Sequence, residues 1–136
     1  MLKTSLFVVV VAVVLLQTSA FAGIHEDYPF LVFEEPDGTR RFMGSFGSVH
    51  NSKDTIEYIG CTNSQTEGGA AFGACYAEYT VRGFTRYVSC ATYDPGLVTT
   101  IRSLASDSYV NVTVGTDGRC KAIHIQTMSS LPPKAK

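Results

Sequence analysis

The sequence predicts an all-β domain: a small antiparallel β-sandwich or partial barrel with one short helix and two disulfides. Three observations carry that expectation. Short apolar and aromatic runs alternate with turn residues from residue 30 to residue 127, helical spacing occurs once, after Asp94, and an even number of cysteines follows an apolar leader.

The leader comes first. Lys3 gives a positive start, 6–16 is an unbroken apolar run too short to cross a bilayer core, and Ala20-Phe21-Ala22 offers small residues for cleavage before Gly23. Residues 1–22 therefore read as a signal peptide, 23–128 as the β-rich domain, and 129–136, with Pro132 and Pro133, as a flexible C-terminal tail. The leader inflates the apolar fraction, 45% of 136 residues. Cleavage removes one lysine from a chain of net charge -1, so a mature chain of 114 residues carries about -2. A charge so small excludes electrostatic capture of nucleic acid. No cysteine follows the apolar run to take a lipid, so the expected location is the periplasm or the medium, without membrane attachment after cleavage.

Along the mature chain, 30–34 is a dense aromatic and branched run that reads as a strand. Glu35-Pro36-Asp37-Gly38-Thr39 is turn chemistry, because Pro presets one dihedral, Asp can bond its own backbone and Gly tolerates positive φ. A second strand is expected over 40–47 and a third over 55–61, followed by a polar loop over 62–71 long enough to carry function or to move. Arg82-Gly83 reads as a two-residue turn joining 72–81 to 84–93 as a hairpin. Then the period changes. Asp94 as N-cap, Pro95 just inside, and Leu97, Ile101 and Leu104 at helical spacing predict a helix over 95–105. Strands over 109–114 and 120–127, joined by Gly115-Thr116-Asp117-Gly118, close the domain. Alternation puts Val110, Val112, Val114, Ile123 and Ile125 on a core face and leaves Tyr109, Asn111, Thr113, His124 and Gln126 as a row on the other.

In an exported chain, Cys61, Cys75, Cys90 and Cys120 read as two disulfides, since their spacings match neither a CxxC motif nor a compact zinc knuckle. Three connectivities are open. Continuing the hairpin register from Val81 opposite Phe84 sets Cys75 opposite Cys90, within bridging reach. Because direct cross-strand bridges are often strained, the preferred pairs are Cys61 with Cys75, closing the loop between them, and Cys90 with Cys120, tying the later strands together.

Catalytic motifs are missing where they would be sought. Gly44-Ser45-Phe46-Gly47-Ser48 lacks the nucleophile-elbow pattern, and no zincin motif, phosphate-binding Gly loop or EF-hand loop occurs. His50 and His124 stand apart from any patterned nucleophile. Cleavage before Gly23 would make His25 the third residue, so the α-amine, the amide nitrogens of Ile24 and His25 and the imidazole could hold Cu(II) or Ni(II) in a square plane. The row Tyr109, Asn111, Thr113, His124 and Gln126 suits stacking and hydrogen bonding to a carbohydrate or protein ligand, though it equally fits the wet side of a sheet. Asn111-Val112-Thr113 is also a glycosylation acceptor sequon, relevant in a eukaryotic secretory pathway.

Several stretches resemble an uncharacterised group of small secreted bacterial β-rich proteins with a signal peptide and paired cysteines: Asn51-Ser52 through Tyr58-Ile59-Gly60-Cys61, Ser89-Cys90 with Asp94-Pro95 and Leu97, Asp107-Ser108-Tyr109 with Gly118-Arg119-Cys120, and Ser129-Ser130 before Pro133-Lys134. The resemblance implies a compact secreted β-domain with a Cys90–Cys120 disulfide and supplies no catalytic residue. The functional expectation is a non-enzymatic binding or interaction module. The alternative is a secreted hydrolase or hydrolase inhibitor whose site is built from loops such as 62–71. A deep pocket gathering His50 or His124 with an acid would favour the enzyme, and a flat closed sandwich the module.

Overall fold

The structure, a computed structural model, describes residues 30–128 and residue 131. The leader, the Gly23-Ile24-His25 candidate metal site and all of the tail except Leu131 lie outside the described residues. Among the described residues seven strands and two helices follow in order: β1 Leu31–Glu34, β2 Arg40–Ser45, α1 Phe46–Asn51, β3 Tyr58–Ser64, β4 Phe72–Val81, β5 Phe84–Thr92, α2 Pro95–Arg102, β6 Ser108–Val114 and β7 Cys120–Thr127. They form two antiparallel sheets, β1-β2-β6-β7 and β3-β4-β5, packed as a sandwich rather than a closed barrel.

The core lies where the alternation places it. Val110, Val112 and Val114 are fully buried beside Phe42, and Ile123 stands opposite Val112 with Ile125 opposite Val110. From the other sheet come Ile59, Ala77 and Val88. A bulge between Thr113 and Val114 brings Cys120, rather than Lys121, opposite Val114. It inserts one residue into β7, which turns Cys120 inward to the core and leaves Lys121 outside. Leu131 is buried as well, its amide donating to the Met128 carbonyl at 3.1 Å.

Three elements depart from expectation. The second strand stops at Ser45, and the chain turns into α1. Ser45 caps that helix, its Oγ accepting from the Ser48 amide at 3.3 Å, and the three-residue spacing of Phe46 and Val49 sets both against the core. Phe46, which continues the alternation of Phe42 and Gly44 in a strand reading, thus starts a helical turn equally well once a cap is present. Part of the expected loop is strand too, because β3 runs to Ser64 with Ser64 opposite Phe72. Its polar residues reach across to α2: Arg102 Nη2 donates to Gln65 Oε1 at 2.8 Å.

The expected helix is shorter by three residues. Asp94 caps it, Oδ1 accepting from the Leu97 amide at 2.9 Å, and Val98 and Ile101 are buried. The end is set by Ser103, whose hydroxyl and amide both donate to the Thr100 carbonyl, at 2.7 and 3.0 Å. These bonds satisfy a carbonyl that a further turn would have used.

The disulfides are Cys61–Cys75 and Cys90–Cys120. Cys75 does stand opposite Cys90 in register, yet each bonds elsewhere. Cys61 is itself the direct cross-strand partner of Cys75, with Cα atoms 4.0 Å apart, so this bridge is a cross-strand one and not a separate loop closure. Cys90–Cys120 joins β5 to β7 and therefore joins the two sheets.

The hairpin turn carries the one non-glycine residue with positive φ among the described residues, Arg82 at 51°, followed by Gly83 at 80°. Positive φ at both central positions is the type I′ geometry that matches strand twist, and a long side chain pays for it where Asn would not. Arg82→Asn is expected to raise stability by up to about 1 kcal/mol, read from the midpoint of urea unfolding at constant slope.

Candidate functional site

On the outer face of the four-stranded sheet, register brings the expected row together. Tyr109 pairs with Gln126, Asn111 with His124, and Thr113 follows on β6. Tyr109, Asn111 and Thr113 are half-buried, whereas His124 and Gln126 are exposed. Burial raises the Tyr109 phenol above its ordinary range, and the charge of Arg41 partly offsets this. Arg41 itself lies 5.5 Å over the Phe33 ring and bonds Glu35 at 3.0 Å. The row is thus one polar face bordered by an internally paired arginine.

A second face emerges on the three-stranded sheet. With Ile59, Cys61, Cys75, Ala77, Val88 and Cys90 turned inward, Tyr58, Tyr76, Glu78 and Tyr87 turn outward. Register sets Glu78 opposite both Tyr58 on β3 and Tyr87 on β5, and Tyr76 opposite Gly60. Tyr58 and Tyr87 are 49% and 58% exposed, so about half of each residue is accessible to a ligand, whereas Tyr76 is half-buried. Tyr58 and Tyr76 stack diagonally, centroids 5.5 Å apart and planes within 17°, and the Tyr58 hydroxyl donates to the Tyr76 hydroxyl at 3.3 Å. Gly60 makes room for this pair: a Cβ there would stand 2.8 Å from Tyr76 Cε2.

This face was open to inference from sequence. The Arg82-Gly83 turn fixes Glu78 opposite Tyr87, and period two then places Tyr76 on the same side. The β3 register, which adds Tyr58, depends on pairing across a long loop and has no comparable local marker.

Beside Tyr58 a cavity of about 330 Å³ opens between α1 and the start of β3. Phe46, Val49 and Ile59 line it with apolar surface, and His50, Asp54 and Glu57 bring polar groups to it. The segment before β3 is wound around Asp54, whose Oδ1 accepts from the amides of Ile56 at 2.7 Å and Glu57 at 3.2 Å. Burial, with a further contribution from the Asp54 charge, raises the Glu57 carboxyl above its ordinary range. Ser106 also lines the cavity, yet among the described residues His50 bonds neither an acid nor a hydroxyl, so a histidine, two acids and a serine meet there without a nucleophile–base–acid chain.

A wider cleft of about 800 Å³ lies beside Cys120, with Asp94, Asp117 and Lys121 on its walls. Its acids are already engaged, while the Arg119 side chain on the same wall has no ion pair among the described residues. Asp94 caps α2, and Asp117 accepts from Lys121 Nζ at 2.8 Å and from the Arg119 amide at 3.1 Å. Those bonds hold the Asp117 carboxyl below its usual range.

No family model matches the chain, and neither the curated proteins nor the solved structures contain a match. Two disulfides accord with an oxidising, extracytoplasmic compartment. Among the described residues no helix is long and apolar enough to cross a membrane.

The Tyr58–Tyr76 hydrogen bond raises the Tyr58 phenol, with burial adding to it, to about 12. A folded value above the unfolded one means that the neutral phenol is favoured in the fold. That contribution is complete below pH 10 and is lost as pH rises toward 12. In a spectrophotometric phenolate titration, Tyr76→Phe is expected to move the highest-pH ionisation down toward 10.

Proposed function

We propose that the protein is a secreted, non-enzymatic binding module that captures a polypeptide ligand on the outer face of β3, β4 and β5. The observation that carries this reading is the cluster of exposed Tyr58 and Tyr87 with half-buried Tyr76 around Glu78, on a sheet face without a covering element among the described residues. Tyrosine joins a rigid apolar ring to a hydroxyl and loses little conformational entropy on binding, which is why it dominates recognition surfaces. A polypeptide is favoured over a carbohydrate because Tyr58 and Tyr76 stack on one another. Each ring spends a face on its neighbour, and edges, hydroxyls and a carboxylate remain for a ligand with mixed apolar and cationic groups.

A hydrolase is the second reading, favoured by the cavity that gathers His50 with Asp54 and Glu57. Two features weigh against it. Asp54 Oδ1 is committed to backbone amides, and among the described residues no hydroxyl is bonded to His50 as a nucleophile would be.

Panning a random-peptide display library on the protein, with counter-selection on Tyr58→Ala/Tyr87→Ala, tests the module. Both side chains are surface groups, so the double variant is expected to fold while losing at least about tenfold in affinity for enriched peptides. Peptides that bind both proteins equally, or a glycan array that retains the protein where peptides do not, would overturn the reading.

A further inference from the structure

We propose that the cavity between α1 and β3 is a recognition pocket for a guanidinium group, taking an arginine side chain of a polypeptide that lies across the tyrosine face. This rests on the polypeptide-binding reading and specifies the residue that the site selects. The cavity, about 330 Å³, lies at the low end of the range for small-ligand pockets, on the scale of one long side chain rather than a whole substrate.

Its lining divides as an arginine does. Val49 and Ile59, with Phe46, offer apolar surface for a three-carbon stem, while Asp54 and Glu57 offer carboxylates to a planar cation. Among the described residues no lysine or arginine lines the cavity, whose other polar residues are His50 and Ser106. Among the described residues the Glu57 carboxylate has neither an ion-pair nor a hydrogen-bond partner, its amide alone bonding Asp54, and Lys53, the cation of the same segment, forms no ion pair.

Glu57 thus carries its charge partly out of water and next to a second anion, the two causes that raise its carboxyl. A bound cation relieves both, because it supplies the missing partner and screens Asp54. Asp54 is held in place by its Oδ1 bonds, which leave Oδ2 for the ligand. Arginine is preferred to lysine since its flat fork can bond a carboxylate in two places and stack on the ring of Tyr58, which lines the cavity and belongs to the tyrosine face. Glu78, set between Tyr58 and Tyr87, continues the same negative character along the face.

The test is a titration of the ¹⁵N-labelled protein with N-acetyl-arginine methylamide and, separately, with its neutral isostere N-acetyl-citrulline methylamide. The arginine probe is expected to shift the amides of Val49, Glu57, Tyr58 and Ile59 saturably, with citrulline about tenfold weaker or worse. Glu57→Gln is expected to reduce arginine to the citrulline level, in a variant whose spectrum otherwise overlays the parent. Equal affinity for the two probes, shifts centred elsewhere, or no saturable shift would overturn the pocket. The citrulline comparison needs no variant, so it decides the matter even if Glu57→Gln misfolds. Peptides that bind the tyrosine face without preference for arginine would overturn the pocket and leave the module standing. Arginine-selective shifts here, with no peptide enriched by panning, would leave the pocket and overturn the module.

Discussion

Cys90–Cys120 is the constraint on which the remaining architecture depends. The four-stranded and three-stranded sheets share one backbone bridge among the described residues, Ala91 with Arg119, made by the Ala91 amide donating to the Gly118 carbonyl at 3.1 Å. Both partners of that bridge adjoin the disulfide in sequence. The bond closes a span of 30 residues that contains α2 and β6, so the chain from β5 to β7 becomes a covalent ring around the core. In a chain-entropy account such a closure contributes about 3.5 kcal/mol. A core built largely from valines in so small a domain leaves little net stability to spare, and a contribution of this size is a large part of it.

The second disulfide does a different job. It links neighbours already paired in one sheet, and the register sets Cys61, Cys75 and Cys90 in a single row across the inner face. The row places one bond along the sheet and the next bond out of it. With Cys75 held by Cys61, Cys90 is left to reach β7, and the more central tie falls between the layers.

Much of this was legible in sequence because local chemistry was decisive. Arg82-Gly83 between alternating runs specifies a hairpin and its register; Asp94-Pro95 specifies a helix start; three valines in alternation specify a core face. What escaped is instructive in physical terms. Phe46 suits the end of a strand or the start of a helix, and the choice fell to Ser45 acting as a cap at the end of β2, with Val49 one turn on from Phe46 against the core. That unforeseen helix supplies one wall of the cavity, so the candidate pocket was invisible for the same reason that α1 was. The row of Tyr109, Asn111, Thr113, His124 and Gln126 was correctly assembled from period two alone. The tyrosine face needed, in addition, the pairing of β3 with β4 across a polar loop, a long-range contact that no short motif encodes.

One inter-sheet bond, rather than either sheet alone, holds the sandwich together. Native-state hydrogen exchange on Cys90→Ala/Cys120→Ala and Cys61→Ala/Cys75→Ala compares the two bridges directly. The account predicts that losing Cys90–Cys120 lowers protection of β4, β6 and β7 amides together, by about 3 kcal/mol or more, while losing Cys61–Cys75 lowers it most along β3. Unchanged protection of both sheets without Cys90–Cys120, or a larger common loss without Cys61–Cys75, would contradict it.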